Sequence, residues 1–212
     1  MQITIIGAGN MGRGIATRAL AGGHAVRIID THADKAAQLV ADLIVGQASG
    51  DVEPADDTAI ATSDFVVLAL NYPASLQVAT KHSVELAGKI VIDIANPADF
   101  ATWDPTTESG TSAAEELAAQ LPDARVVKAF NTTFAATLMT GQVNARPLDV
   151  FIAGDDADAK DTTAQLVQSA GLHPIDVGPL RRARALEGFM IVHMSLQQNM
   201  SNPWHSAIAI LT

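Results

Sequence analysis

The residues best placed to do chemistry stand near the start of the chain. Gly7-Ala8-Gly9-Asn10-Met11-Gly12 is a G-x-G-x-x-G that follows a short aliphatic run and opens a helical pattern. In that context the spacing points to a dinucleotide-binding loop. Gly7 permits the tight turn, Gly9 lets the backbone approach a pyrophosphate, and Gly12 lets the helix pack close to the strand. The helix N-terminus then offers N–H groups and a positive dipole end to the anion. Asp30 ends the second aliphatic run, 18 residues beyond Gly12. A carboxylate there accepts the ribose hydroxyls of NAD and repels the 2′-phosphate of NADP, so charge alone favours NAD. Thr31, His32 and Lys35 follow, and a hydroxyl, an imidazole and an amine could still receive that phosphate.

Other chemistries find little support. The chain has no Cys, which removes disulfides and thiolate zinc sites. There is no H-E-x-x-H, no Ser/His/Asp constellation and no pair of carboxylates in a plausible site. His193 and His205 lie in an apolar stretch and read as packed residues, so no metal is expected. The single Tyr, Tyr72, falls beside the expected nicotinamide position, where it is either a proton donor or a wall.

The elements that must hold these residues alternate. Strand-length apolar runs cover residues 3–6, 26–29, 65–70, 90–94, 125–129, 150–153 and 174–177, with a weak one at 51–53. Helical patterns cover 11–20, 36–44, 74–86, 112–121, 134–139 and 157–170, and a long one runs from 180 to about 199. Such alternation means βαβ units, hence an α/β, Rossmann-type doubly wound and mostly parallel sheet. The alternation stops at Gly178-Pro179. We therefore expect a dinucleotide-binding domain over 1–178 and a C-terminal helical segment over 179–212.

Three further stretches are more specific than the glycine loop: Lys128-Ala129-Phe130-Asn131-Thr132, Gly154-Asp155-Asp156, and residues 171–180 followed by Arg184 and Leu186-Glu187. Together with Gly9-Asn10-Met11-Gly12, the chain resembles the NADP oxidoreductases that use coenzyme F420, a deazaflavin. The cytoplasmic domain of the six-transmembrane ferric reductases is similar over the same stretches. The resemblance implies direct hydride transfer between two carriers, with no catalytic acid, nucleophile or metal, the protein supplying position and a dry site. It places Gly7 through Gly12 at the pyrophosphate, and Asp30, Thr31, His32 and Lys35 around the adenosine. It places Ala69, Leu70, Asn71, Asn96, Pro97 and Ala135 along the nicotinamide half, and Asn131, Thr132 and Thr133 near the deazaflavin. Members of the family generally carry a pair such as Ser-Arg where this chain has Asp30-Thr31, and can carry His-Thr where it has Asn131-Thr132.

Charge and length narrow the partners. The net charge of the 212 residues is −10, which argues against nucleic acid. No apolar window is long enough to span a membrane and no signal peptide is visible, so the expected location is cytoplasmic. Residues 181–212 hold Arg181, Arg182 and Arg184 against Glu187 alone, and the arginines are expected to attract an anionic acceptor tail. Phe189, Met190, Val192, His193, Met194 and Leu196 make that helix apolar on a wide arc. It should be buried, either over the acceptor pocket or against a second subunit in a homodimer. The leading expectation is an oxidoreductase using NADP or NAD with a small-molecule redox acceptor. The alternatives are reduction of a flavin, a ferric chelate or a small carbonyl or imine, and a non-catalytic dinucleotide sensor.

Overall fold

The computed structural model describes residues 1–46 and 50–211; Thr212, at the end of the expected second segment, lies outside them. The order is β1 (Gln2–Ile6), α1 (Asn10–Ala21), β2 (Ala25–Ile29), α2 (Ala33–Gly46), β3 (Val52–Pro54), β4 (Phe65–Leu68), α3 (Tyr72–Lys81), α4 (Ser83–Leu86) and β5 (Ile90–Asp93). There follow α5 (Ala113–Gln120), β6 (Arg125–Lys128), α6 (Ala135–Thr140), β7 (Gln142–Val143), β8 (Arg146–Pro147), β9 (Asp149–Gly154), α7 (Ala157–Ser169), β10 (His173–Gly178) and α8 (Ala183–Ser195).

One sheet carries eight strands in the order β10-β9-β6-β5-β4-β1-β2-β3. From β3 to β6 every neighbour is parallel, the doubly wound order with its switch between β1 and β4. Both faces are covered, so the strands are apolar throughout rather than alternating. Phe65 and Val67 pack with Ile15, Leu20 and Leu39 on one face, while Val66 and Leu68 pack with Ala79, Leu86 and Leu117 on the other.

Several expectations change. β9 pairs antiparallel with β6, and β10 runs parallel to β9. An apolar run does not state its direction, so this reversal was not legible. It carries Gly154-Asp155-Asp156 to the sheet edge opposite the glycine loop. The expected helix over 74–86 breaks at His82, whose backbone leaves the helical region. The hairpin β7–β8 was not foreseen; Asn144 and Ala145 both take positive φ in its two-residue turn. The helix α8 is only half buried: Met190, Ile191 and Met194 face a small cluster with Phe134, while Phe189 and Val192 stay exposed.

Leu180 and Ala183 join the core beneath α5, and the Leu180 N–H donates to Asp155 Oδ1 at 2.9 Å. From there α8 climbs past Lys128 to the carboxyl edge of the parallel strands, where Met190 and Met194 meet Phe134. Arg181 and Arg182 precede α8 and Arg184 lies in its first turn, away from that edge, and Arg184 is held by both oxygens of Glu115 at 2.6 and 2.7 Å. Of the three arginines expected to attract an acceptor tail, Arg184 is thus paired with Glu115.

Candidate functional site

The turn after β1 is built as the glycine pattern requires. A Cβ on Gly7 would lie 2.4 Å from the Ala69 carbonyl oxygen, and Gly7 has φ +116°. A Cβ on Gly12 would lie 2.0 Å from the Gly7 carbonyl oxygen. Gly9 differs: a Cβ there meets nothing within 4 Å. Its closed neighbours set the turn, and its own open side is where an anion can approach. Gly9 also begins α1 with no side chain capping the helix, so the positive helix end stays available.

Two cavities flank this loop. One, of about 510 Å³, is lined by Gly7, Asp30, Thr31, Leu70 and, across from them, Lys81 and His82. The other, of about 650 Å³, takes Asn10 and Met11 from the loop, Asn96 and Asn131 from the ends of β5 and β6, Thr133 and Ala135 beyond, and Met190 and Met194 from α8. Together they follow the carboxyl edge of the parallel strands, where ligands of such folds bind.

In the smaller cavity Asp30 is already engaged. Its Oδ2 accepts from the Ala8 N–H at 2.9 Å and its Oδ1 from the His32 N–H at 3.0 Å. Partial burial pushes the Asp30 carboxyl up, but these hydrogen bonds outweigh it and hold it below the usual carboxylate range. Asp30 thus braces the glycine loop. Thr31 and His32 lie exposed beside it and hydrogen-bond each other, with Thr31 Oγ1 3.1 Å from His32 Nδ1, and Lys35 stands exposed in the first turn of α2.

At the floor of the larger cavity two asparagines grip each other. Asn96 Nδ2 donates to the Asn131 carbonyl at 2.8 Å, and Asn131 Nδ2 donates to Asn96 Oδ1 at 2.9 Å. Asn131 Oδ1 is buried and has no partner. A buried acceptor left without a donor is costly, and a ligand N–H would relieve it. Phe130, just before, is buried with φ +61°. A bulky residue in the left-handed region is an outlier that packing must enforce. Here it turns the chain so that its ring stays in the core while Asn131 reaches the cavity.

The walls are soft and apolar. Met11, Met139, Met190 and Met194 all line the cavity, four of the six methionines in the chain. Phe134 and Trp204 add an edge-to-face pair with ring centroids 5.2 Å apart. The sequence did not mark Met139, Phe134 or residues 203–205 as site residues, because they come from α6 and from the segment after α8. Arg13, also on the wall, is paired with Asp42 at 2.6 Å.

Not every expected residue converges here. Ala8 and Gly9 lie between the cavities, and Ala69 backs the glycine turn. The Asn71 side chain is spent capping α3, accepting from the Ala74 N–H at 3.0 Å. Pro97 lines a separate cavity with Glu187. Thr132 is buried with an unpartnered Oγ1, and Thr133 Oγ1 donates to the Phe130 carbonyl at 2.7 Å. Tyr72 donates to Glu116, and burial together with that carboxylate pushes its phenol up to about 12. Tyr72 lines neither of the two cavities beside the glycine loop. Lys128, at the end of β6 where a charged side chain is normally solvated, is completely buried.

Residues 2–97 match the family described as NADP oxidoreductase, coenzyme F420-dependent. Metalloreductase STEAP3 of Rattus norvegicus is 30% identical over 189 residues, 88% of this chain and 36% of that protein. The F420-dependent NADP reductase of Methanocaldococcus jannaschii is 33% identical over 129 residues, 58% of this chain and 57% of that one. The chain thus spans from about a third to somewhat over half the length of these curated relatives. The crystal structure of a candidate F420-dependent NADP reductase from Arthrobacter sp. FB24 superposes with a TM-score of 0.79 at 29% identity, covering 95% of this chain and 96% of that one. Among the described residues no helix is long and apolar enough to cross a membrane.

Proposed function

We propose that the chain, which is similar to the coenzyme F420-dependent NADP oxidoreductases, transfers hydride between NADPH and a flat heteroaromatic acceptor, coenzyme F420 being the leading one. The observation that carries the reading is the apolar cavity of about 650 Å³ beside the glycine loop, walled by methionine and aromatic side chains over the Asn96–Asn131 pair.

The residues fit a nicotinamide dinucleotide. The open side of Gly9 and the uncapped start of α1 receive the pyrophosphate. Asn131 Oδ1 accepts an N–H from the ligand and loses its buried, unpaired state. A bound nicotinamide supplies the hydride, and the acceptor takes it with a proton from water. The chain's own part is to hold two rings together and to exclude water, for which thioether and aromatic walls are suited. The geometry also revises the charge argument for NAD. Both Asp30 oxygens are turned to backbone N–H groups, while the Thr31 hydroxyl, the His32 ring and Lys35 lie on the exposed lip. That arrangement supports NADP.

The test is to mix the protein with NADPH or NADH and, separately, coenzyme F420, FMN and a ferric chelate, and to follow nicotinamide absorbance. Turnover with NADPH and a ring acceptor is expected. Binding of NADPH without turnover on any acceptor would replace the reading with that of a dinucleotide sensor.

A further inference from the structure

Behind the cavity floor lies a group of charges that the hydride chemistry does not use. Lys128 is fully buried, and its Nζ donates to Asp93 Oδ2 at 2.7 Å and to the Ala95 carbonyl at 2.5 Å. The same Nζ lies 2.7 Å from Glu187 Oε1. Glu187 in turn accepts from the Ala113 N–H at 3.0 Å and the Ala114 N–H at 3.4 Å, at the start of α5. Asp93 Oδ1 accepts from the Ala95 N–H at 3.1 Å. One ammonium therefore joins the ends of β5 and β6 to the middle of α8, with the first turn of α5 completing the shell.

Stability alone is a weak reason for such a group. Burying two carboxylates and an ammonium costs desolvation, and well-packed apolar residues often serve as well or better. Burial indeed pushes the Glu187 carboxyl above its usual range, against the pull of Lys128. What apolar packing does not provide is a fixed register between elements. Each element joined here delivers part of the cavity within a few residues. After Asp93 and Ala95, β5 gives Asn96; after Lys128, β6 gives Phe130 and Asn131; after Glu187, α8 gives Met190 one turn on and Met194 two turns on. The hydrogen bonds and ion pairs of Lys128 and Glu187 given above include neither the glycine loop after β1 nor Asp30 after β2.

We propose that Lys128 and Glu187 are positioning residues for the acceptor: their buried contact sets the height of the methionine wall of α8 above the Asn96–Asn131 floor, and so the width of the slot that the acceptor ring enters. The proposal rests on the hydride-transfer reading above and adds that the acceptor half of the cleft is tuned separately from the nucleotide half.

The experiment compares the full chain with Glu187→Ala and Glu187→Gln. It measures the NADPH Kd by fluorescence, the Kd of coenzyme F420 and FMN by the emission of the ring itself, and KM and kcat for both acceptors. In Glu187→Ala, acceptor Kd and KM should rise about tenfold, a shift of about 1.4 kcal/mol, with the NADPH Kd changed less than about twofold. Glu187→Gln keeps an oxygen that can accept from Lys128 and Ala113, and should restore acceptor affinity to within about threefold. If Glu187→Ala does not fold, Glu187→Asp, one methylene shorter, should show the same selective loss. An unchanged acceptor affinity, a loss of NADPH binding in step with it, or no rescue by Gln would each overturn the proposal. A wild type that binds a ring acceptor without turning it over defeats only the hydride-transfer reading, since ring affinity still reports the slot. A wild type that binds neither ring overturns both.

Discussion

The two ends of the cleft are made of different material. The end at Asp30 has a base of backbone, with glycine turns, N–H groups and one carboxylate locked to Ala8 and His32, and keeps its side chains, Thr31, His32 and Lys35, on an exposed lip. The acceptor end is side chain: four thioethers, Phe134 and Trp204. Backbone groups cannot move without unfolding the turn that carries them, so the first end reads one charge pattern strictly. Thioethers adapt to the shape they meet, so under the proposed function the second end should tolerate more than one flat ring. One fixed donor site and one yielding acceptor site suit a protein that passes hydride between carriers.

The comparison breaks first at the glycines. Gly12→Ala forces a Cβ against the Gly7 carbonyl oxygen at 2.0 Å, and should destabilise the protein by several kcal/mol, enough to lower Tm sharply. Gly9→Ala meets nothing; it should leave Tm nearly unchanged while weakening NADPH at least tenfold, because the methyl group occupies the path of the pyrophosphate. Equal effects of the two substitutions on Tm would mean that the open side of Gly9 is not a ligand path. The next effect is smaller. Lys35→Ala should weaken NADPH roughly fivefold, as expected for an exposed amine facing a phosphate, and leave NADH alone. Calorimetric titration with both nucleotides checks it, and an equal loss for both would remove the phosphate from the lip of α2.

The same division explains what the sequence could tell. The glycine turn and the alternation of strand and helix from β1 to β6 were legible because each depends on spacing within a short stretch, whereas the turning of both Asp30 oxygens to backbone N–H groups was not. The acceptor end depends on what distant stretches bring together: Met139 from α6, Met190 and Met194 from α8, and residues 203–205. No local pattern announces that. Asn131 was picked out by resemblance, but its reach into the cavity depends on the left-handed backbone of Phe130, which nothing in its residue type suggests. The burial of Lys128 was illegible for a related reason. A lysine at a strand end is normally solvated, and it takes Asp93, 35 residues before it in the chain, together with Glu187, 59 residues after it, to make its burial tolerable.

The smallest effect tests the idea of a yielding wall most directly. Met194→Leu keeps nearly the same volume, so neither folding nor nucleotide binding should change. It replaces an unbranched, polarisable chain by a branched one with fewer rotamers, and removes a sulfur that can lie against a ring edge. A rigid wall of the right width would be indifferent to the swap or would lose affinity for every ring alike. A yielding wall loses its tolerance, so the ratio of KM values for FMN and coenzyme F420 should move about twofold from that of the wild type. The sign of the change then says which ring the leucine wall fits better, and the unchanged NADPH Kd keeps the effect on the acceptor side. A ratio that stays fixed through Met190→Leu as well would show that the slot width, set deeper by Lys128 and Glu187, governs acceptor choice and that the thioethers merely fill space.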